Sequence, residues 1–392
     1  MSAVGADDDP LAHRLAAIGL VAITLGLVAA RLRTTPTRRV LALAAVTPSA
    51  WFLWGVVNPN ALEIALVALA ATGAAGGRVP RERSATGEHW WVSIPLALAI
   101  AMRPIAAAWA LAVIALVVLA ARRDGHRVTT RQRAALWVPP ALAVAAVMAW
   151  NAWSGLVVDD ERTAGTGSTF DAVTSSIGGL PRTGAELVAS MGWLEYWAPW
   201  PAIVAWGVAI AVIAAGRPGL RPGAWLVLAA ALVVVPVAFE VAWYERVGLI
   251  WQGRYSLPVA AVAVIVACTS RPTETVRPAP PPWLPVAAVV AAAAGAQLTF
   301  WNAARRYAVG TDGSWWFRGA DDTSRWLGPG TWVAVHGVLV ALAAAVAVRT
   351  VRTVRLEPSV AASPVAGPVV SSSGSAGWSA TDRAAPTADP PR

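Results

Sequence analysis

The sequence predicts an all-α, polytopic membrane helix bundle, and three observations carry the prediction. Apolar residues make up 57% of the 392 and charged residues only 14%, whereas a soluble domain is charged at roughly a quarter of its positions. Apolar runs of about 20 residues, the length that spans a bilayer as a helix, recur along the chain. The arginines between those runs alternate between dense and sparse, as the positive-inside rule requires of a multi-pass protein.

Eleven apolar segments follow, at roughly 11–30, 40–57, 60–76, 90–102, 104–121, 135–153, 198–215, 224–243, 256–270, 284–303 and 331–348. Alternate connections hold most of the 31 basic residues, all of them Arg. They run from Arg31, Arg33, Arg38 and Arg39, through Arg78, Arg81 and Arg83, to Arg122, Arg123, Arg127, Arg131 and Arg133. Arg217 and Arg221, Arg271 and Arg277, and Arg349, Arg352 and Arg355 complete the set. The positive-inside rule makes that side cytoplasmic, in a plasma membrane, and puts the C-terminus there too. The opposite connections carry Asp159, Asp160, Glu161, Asp171, Glu186, Glu195, Glu245, Asp312, Asp321 and Asp322.

This phase leaves residues 1–10 as an external N-terminus. It carries Asp7, Asp8 and Asp9 and lacks the basic start that export requires. One further span and its outer loop are therefore expected ahead of Met1. Residues 11–349 form the transmembrane domain, with outer loops at about 154–197 and 304–330. The stretch 350–392, rich in Pro, Ser, Ala and Gly without periodicity, is expected to be a disordered cytoplasmic tail.

Two segment pairs are joined by very short links, Asn58-Pro59-Asn60 and Arg103-Pro104. Asn58 before Pro59 is an N-cap with Pro at the first helical position. Each pair is a tight or partly re-entrant hairpin, which is tolerated where it lies in protein or lines a wet cavity. In the longest loop, Thr183-Gly184-Ala185-Glu186 has the form of a capping box. It is followed by Leu187, Val188, Met191 and Leu194 on one face, which predicts a short helix on the outer surface. The neighbouring Trp193, Tyr196, Trp197 and Trp200 are accounted for by an interfacial aromatic belt.

The formal charge of +9 follows from topology and needs no nucleic acid as partner. The lone Cys268 and four scattered His exclude a disulfide and offer no zinc spacing; no metal site is predicted. No nucleotide-binding loop or HExxH motif is present. Against the charge trend, Arg103, Arg246, Arg254, Arg305 and Arg306 face outward near helix ends. Snorkelling, or pairing with Glu245 or Asp312, accounts for each singly. As a set they fit a shared anionic ligand, because the guanidinium fork matches two phosphate oxygens. Glu63 and Glu240 are costly in a membrane but lie close to helix ends. The cluster Asp159-Asp160-Glu161 is a candidate general base or metal site, with an ordinary acidic loop as the plainer account.

Asn58-Pro59-Asn60-Ala61-Leu62, Arg103-Pro104, Gly192-Trp193-Leu194 before Pro199, Gln252-Gly253-Arg254-Tyr255 with Pro258, and Arg306-Tyr307-Ala308-Val309-Gly310 occur in this order. Together they resemble the bacterial multi-pass membrane family of domain of unknown function 2142, over roughly residues 15–350. That family is grouped by resemblance with the GT-C glycosyltransferases, which move a sugar from a polyprenyl-phosphate carrier to an acceptor. The resemblance implies a GT-C-like fold and a cell-envelope transferase acting on the outer face. By the same resemblance the lipid phosphate would be bound by Arg103 and Arg254, helped by Arg305 or Arg306, with Gln252, Tyr255 and Asn58 beside them. Glu245 or an acid among Asp159, Asp160 and Glu161 would be the catalytic base. No organic cofactor is implied, and a divalent metal is left open. Such proteins carry key acids in a first outer loop, and this chain begins beyond it.

The partners expected are membrane lipids, the polyprenyl-phosphate sugar and other envelope-biosynthesis proteins. Two other classes stay open: a transporter or flippase of lipid-linked glycans, and a non-catalytic subunit of an envelope polysaccharide assembly complex.

Overall fold

The computed structural model describes residues 10–32, 34–75, 85–123, 125, 127–155, 168–191, 196–215, 222–269, 281, 283–319 and 328–356. Its helices in order are α1 (Pro10–Arg31), α2 (Pro36–Ala44), α3 (Pro48–Trp54), α4 (Pro59–Ala75), α5 (Ala85–Met102) and α6 (Ala106–Arg123). Then come α7 (Thr130–Ser154), α8 (Thr169–Ala189), α9 (Trp200–Ala215), α10 (Pro222–Val247), α11 (Leu257–Thr269), α12 (Trp283–Val309) and α13 (Pro329–Leu356). The protein is an all-α membrane bundle.

Each predicted apolar segment coincides with a helix, save that 40–57 is broken into α2 and α3. Pro48 cannot donate to a continuing helix; Thr47 instead caps α3 by accepting from Ala50 N at 3.1 Å. The Trp206 indole donates to the freed carbonyl of Ala45 at 2.9 Å. The cap expected before α4 is present, with Asn58 Oδ1 accepting from Asn60 N at 2.9 Å. Between these caps α3 and α4 bend by 113°, as in a broken span or a re-entrant loop.

Five of the described helices are long and apolar enough to cross a membrane, or six if the bent pair is one span. Others, such as His89–Met102 and Ala106–Arg122, are apolar but shorter. At 1.5 Å per residue they reach less than the roughly 30 Å of a hydrocarbon core. The centre of the bundle is α4, where every residue from Glu63 to Thr72 is buried. It packs against α1, α5, α6 and α11. An apolar helix without a polar face belongs in such a position.

The loop helix differs from expectation. Instead of starting at Thr183, α8 starts at Ser168, whose Oγ accepts from Asp171 N at 3.3 Å. Asp171 returns the bond, accepting from Ser168 N at 2.7 Å. These bonds hold the exposed Asp171 carboxyl below its ordinary range. The helix opens at this cap and runs on to Ala189, so Thr183 falls inside it. Far from lying free on a surface, α8 packs against α10 and the turn Gly253–Ser256. Its end is fastened to α3, since Ser49 Oγ donates to Ser190 O at 2.8 Å. A small hairpin follows, β1 (Ser190–Met191) against β2 (Tyr196–Trp197), with Met191 opposite Tyr196. Gly192-Trp193-Leu194, Asp159-Asp160-Glu161, residues 1–9 and the tail 357–392 lie outside the described residues.

Candidate functional site

Both short links expected to form tips lie at one end of the bundle and touch each other. Arg103, between α5 and α6, donates from Nη1 to Glu63 Oε2 at 3.0 Å and to Asn60 Oδ1. Asn60 and Glu63 occupy the first turns of α4, so the broken geometry at Asn58-Pro59 aims them at Arg103. Glu63 is fully buried. Its other oxygen, Oε1, is buried near the Trp109 indole without a hydrogen bond of proper geometry.

The third component is the stretch after α10. Gly253–Ser256 forms one 3₁₀ turn that leads into α11. The Tyr255 ring receives two guanidinium groups, Arg103 at 4.5 Å and Arg254 at 5.6 Å from its centroid. Arg254 is buried, at 8% exposure. A guanidinium over an aromatic face gains cation–π attraction that strengthens as water is removed. Trp251 packs its edge against Tyr255, Trp109 and Phe239 and donates its indole N–H to Ser256 Oγ at 3.3 Å. Gln252 Oε1 is buried with no hydrogen-bond partner among the described residues.

Two carboxylates fix the backbone of this stretch. Glu240 accepts from Ile250 N at 3.0 Å and from Trp251 N. Glu186, on α8, accepts from Gly253 N at 3.0 Å and from Arg182 Nε at 2.8 Å. Gly253 is required by space: a Cβ there would stand 2.2 Å from Thr183 O and 2.3 Å from Leu187 N. The helix α8 is thus a clamp that holds the Arg254–Tyr255 turn against α11.

The predicted residues therefore separate. Arg103, Arg254 and Tyr255 come together, with Gln252 next to them, and Asn58 caps the helix that supplies Asn60 and Glu63. Arg305 closes its own loop, donating to Thr311 O at 2.7 Å and Gly313 O at 3.3 Å and lying 4.2 Å over Trp315. Arg306 is in the last turn of α12. Glu245 is exposed near the end of α10, and Asp159, Asp160 and Glu161 lie outside the described residues. Among the described residues no three His, Cys, Asp or Glu side chains group to hold a metal ion.

Sequence reading passed over Asn60, Glu63, Glu186 and Glu240 as site components. The signal that could have found Glu63 is its cost: an acid inside an apolar helix needs a cation, and Arg103 is the cation beside the neighbouring break.

No curated protein and no solved structure matches the chain. A family model, described as predicted membrane protein (DUF2142), matches residues 10–263. The match spans α1 to most of α11, and so includes Glu63, Arg103, Arg254 and Tyr255. It covers well over half of the chain, which therefore belongs to the DUF2142 family of predicted membrane proteins.

Proposed function

We propose that the chain is a cell-envelope glycosyltransferase-like protein that binds the phosphate of a polyprenyl-phosphate-linked sugar between Arg103 and Arg254. The observation that supports it most is the convergence of both guanidinium groups on Tyr255. A dry, aromatic-walled setting strengthens their pull on an anion. The end of the bundle holding Asn58, Arg103 and Arg254 faces outward in this reading, with the C-terminus cytoplasmic and the bilayer that of the plasma membrane.

In the transfer, a carboxylate takes the proton of the acceptor hydroxyl while that oxygen bonds to the anomeric carbon. The bond from carbon to phosphate oxygen breaks, and the polyprenyl phosphate leaves with the electron pair, its charge met by the arginines. Glu63 is the carboxylate we favour, since Arg103 holds Oε2 and Oε1 keeps its lone pairs. Glu245 and the cluster Asp159, Asp160 and Glu161 are the other candidates. The transfer requires no nucleotide, and a divalent metal is left open.

A second reading, a flippase or a non-catalytic subunit that binds lipid-linked glycan, is favoured by a different observation. Glu186 and Glu240 are spent on backbone N–H groups and Glu63 on an ion pair. Reconstituted vesicles with a radiolabelled polyprenyl-phosphate sugar separate the two. Transfer to an acceptor that is lost in Glu63→Gln and Arg254→Gln supports the enzyme; movement of intact donor across the bilayer without transfer supports the carrier.

A further inference from the structure

A second feature lies on the other face of α3 and is independent of the transfer reaction. One face of α3 packs Ala50 and Leu53 against Ile64 and Leu257, toward the Arg103 centre. The opposite face presents Trp51 and Phe52 to an open groove of about 1090 Å³ whose other walls are α2, α12 and α13. Much of that wall lies beyond the family-matched residues 10–263.

The groove follows α12 from Val289 to Ala308, about 28 Å at 1.5 Å per residue. That is close to the roughly 30 Å of a bilayer's hydrocarbon core. Alanines of α12 and α13 make the floor smooth. Among the described residues the lining holds one charged side chain, Arg14, which is exposed and accompanied by Tyr307 and Pro329. Arg31, the far end of α1, lies 17 residues away, about 26 Å. Val21 of α1 packs against Ala61 and Ala65 at the start of α4, so Arg14, two turns earlier, lies at the end of the bundle that holds Asn58. Over its span only 6% of α13 is buried. Among the described residues it is tied to α12 by a cluster in which His336 Nδ1 bonds to Gln297 Oε1 at 2.6 Å, Gln297 Nε2 donates to Val333 O at 3.0 Å, and His336 stacks on Phe300.

A long apolar channel of bilayer depth with one cation at its mouth matches an amphiphile whose only charge is negative and terminal. We infer that this groove is a binding site for one anionic phospholipid, with its phosphate on Arg14 and an acyl chain along α12. The lipid completes the packing between α13 and the α2–α3 segment. A zwitterionic lipid gains less from Arg14, because its own ammonium offsets the phosphate.

Native mass spectrometry of the full chain, released from micelles holding equal phosphatidylglycerol and phosphatidylcholine with identical acyl chains, tests this. One retained phosphatidylglycerol is expected, preferred by about fivefold as one surface arginine provides. Arg14→Gln, an exposed change that spares the core, brings the preference to parity. Ala296→Trp and, separately, Ala343→Phe fill the groove and remove the retained lipid, whereas Arg254→Gln keeps it. Equal retention of both lipids by the unaltered chain overturns the inference. So does a preference that survives Arg14→Gln, displacement of phosphatidylglycerol by an equal amount of a prenyl phosphate, or a dimer that carries no lipid.

Discussion

The Arg103 guanidinium sits 4.5 Å from the centroid of the Tyr255 ring, which joins the α5–α6 break to the turn ahead of α11. With Arg254 on the same ring, Tyr255 becomes the surface on which two cations are held together against their repulsion. Tyr255→Phe keeps that surface and Tyr255→Leu removes it. The expected result is near-normal affinity for a prenyl phosphate in the first and a loss of about fivefold in the second. Titration of nanodisc-embedded protein measures both.

The Arg103–Glu63 pair is asymmetric, with Glu63 fully buried and Arg103 19% exposed. Arg103→Gln leaves a carboxylate stranded in the core, which costs about 3–5 kcal/mol. Glu63→Gln leaves a cation that still reaches water and costs less. Thermal unfolding in detergent should rank the two in that order, and the double variant should fall short of their sum.

At Gly253 the fold leaves no room for a methyl group. Gly253→Ala forces α8 away from the turn and destabilises by about 1–3 kcal/mol. Hydrogen exchange should rise in α8 and in residues 250–256 together, since Glu186 bonds Gly253 N. A rise in only one of them would contradict the clamp.

Much of the architecture is legible in the chain because apolar periodicity and Pro breaks act locally. The Asn58-Pro59 cap and the Arg103-Pro104 break could be read in place. Sequence reading passed over the break in 40–57, although Thr47-Pro48 uses the same grammar as Asn58-Pro59. What could not be read are the partnerships across the bundle. Glu63 and Arg103 are 40 residues apart, and Glu186 and Gly253 are 67 apart. No local pattern states that α8 folds back onto the turn. Thr183-Gly184-Ala185-Glu186 misled because its Glu186 points to Gly253 and not to its own helix start.

The Ser168–Asp171 cap gives α8 a pH dependence. Asp171 has a lowered value when folded, so its contribution is whole above the ordinary carboxylate range and is lost as pH falls through the lowered value. Exchange protection of the first turn of α8 should fall in acid, and in Asp171→Asn that fall should disappear.

Gln297 is the tie between α12 and α13. Gln297→Leu should weaken the attachment by about 0.6 kcal/mol, the mean for hydrogen bonds between membrane helices. Cysteine cross-linking between residues 300 and 336 should become less efficient, while a pair placed across α4 and α5 is unaffected.

The central claim is that Arg103 and Arg254 form one anion-binding centre. Its most direct test is the affinity of nanodisc-embedded protein for a polyprenyl phosphate, compared between the unaltered chain, Arg254→Lys and Arg254→Gln. Losing a charge-assisted bond predicts a weakening of about tenfold or more in Arg254→Gln. Arg254→Lys should fall between, since it keeps the charge and loses the fork. Equal affinity in all three well-folded proteins would contradict the account.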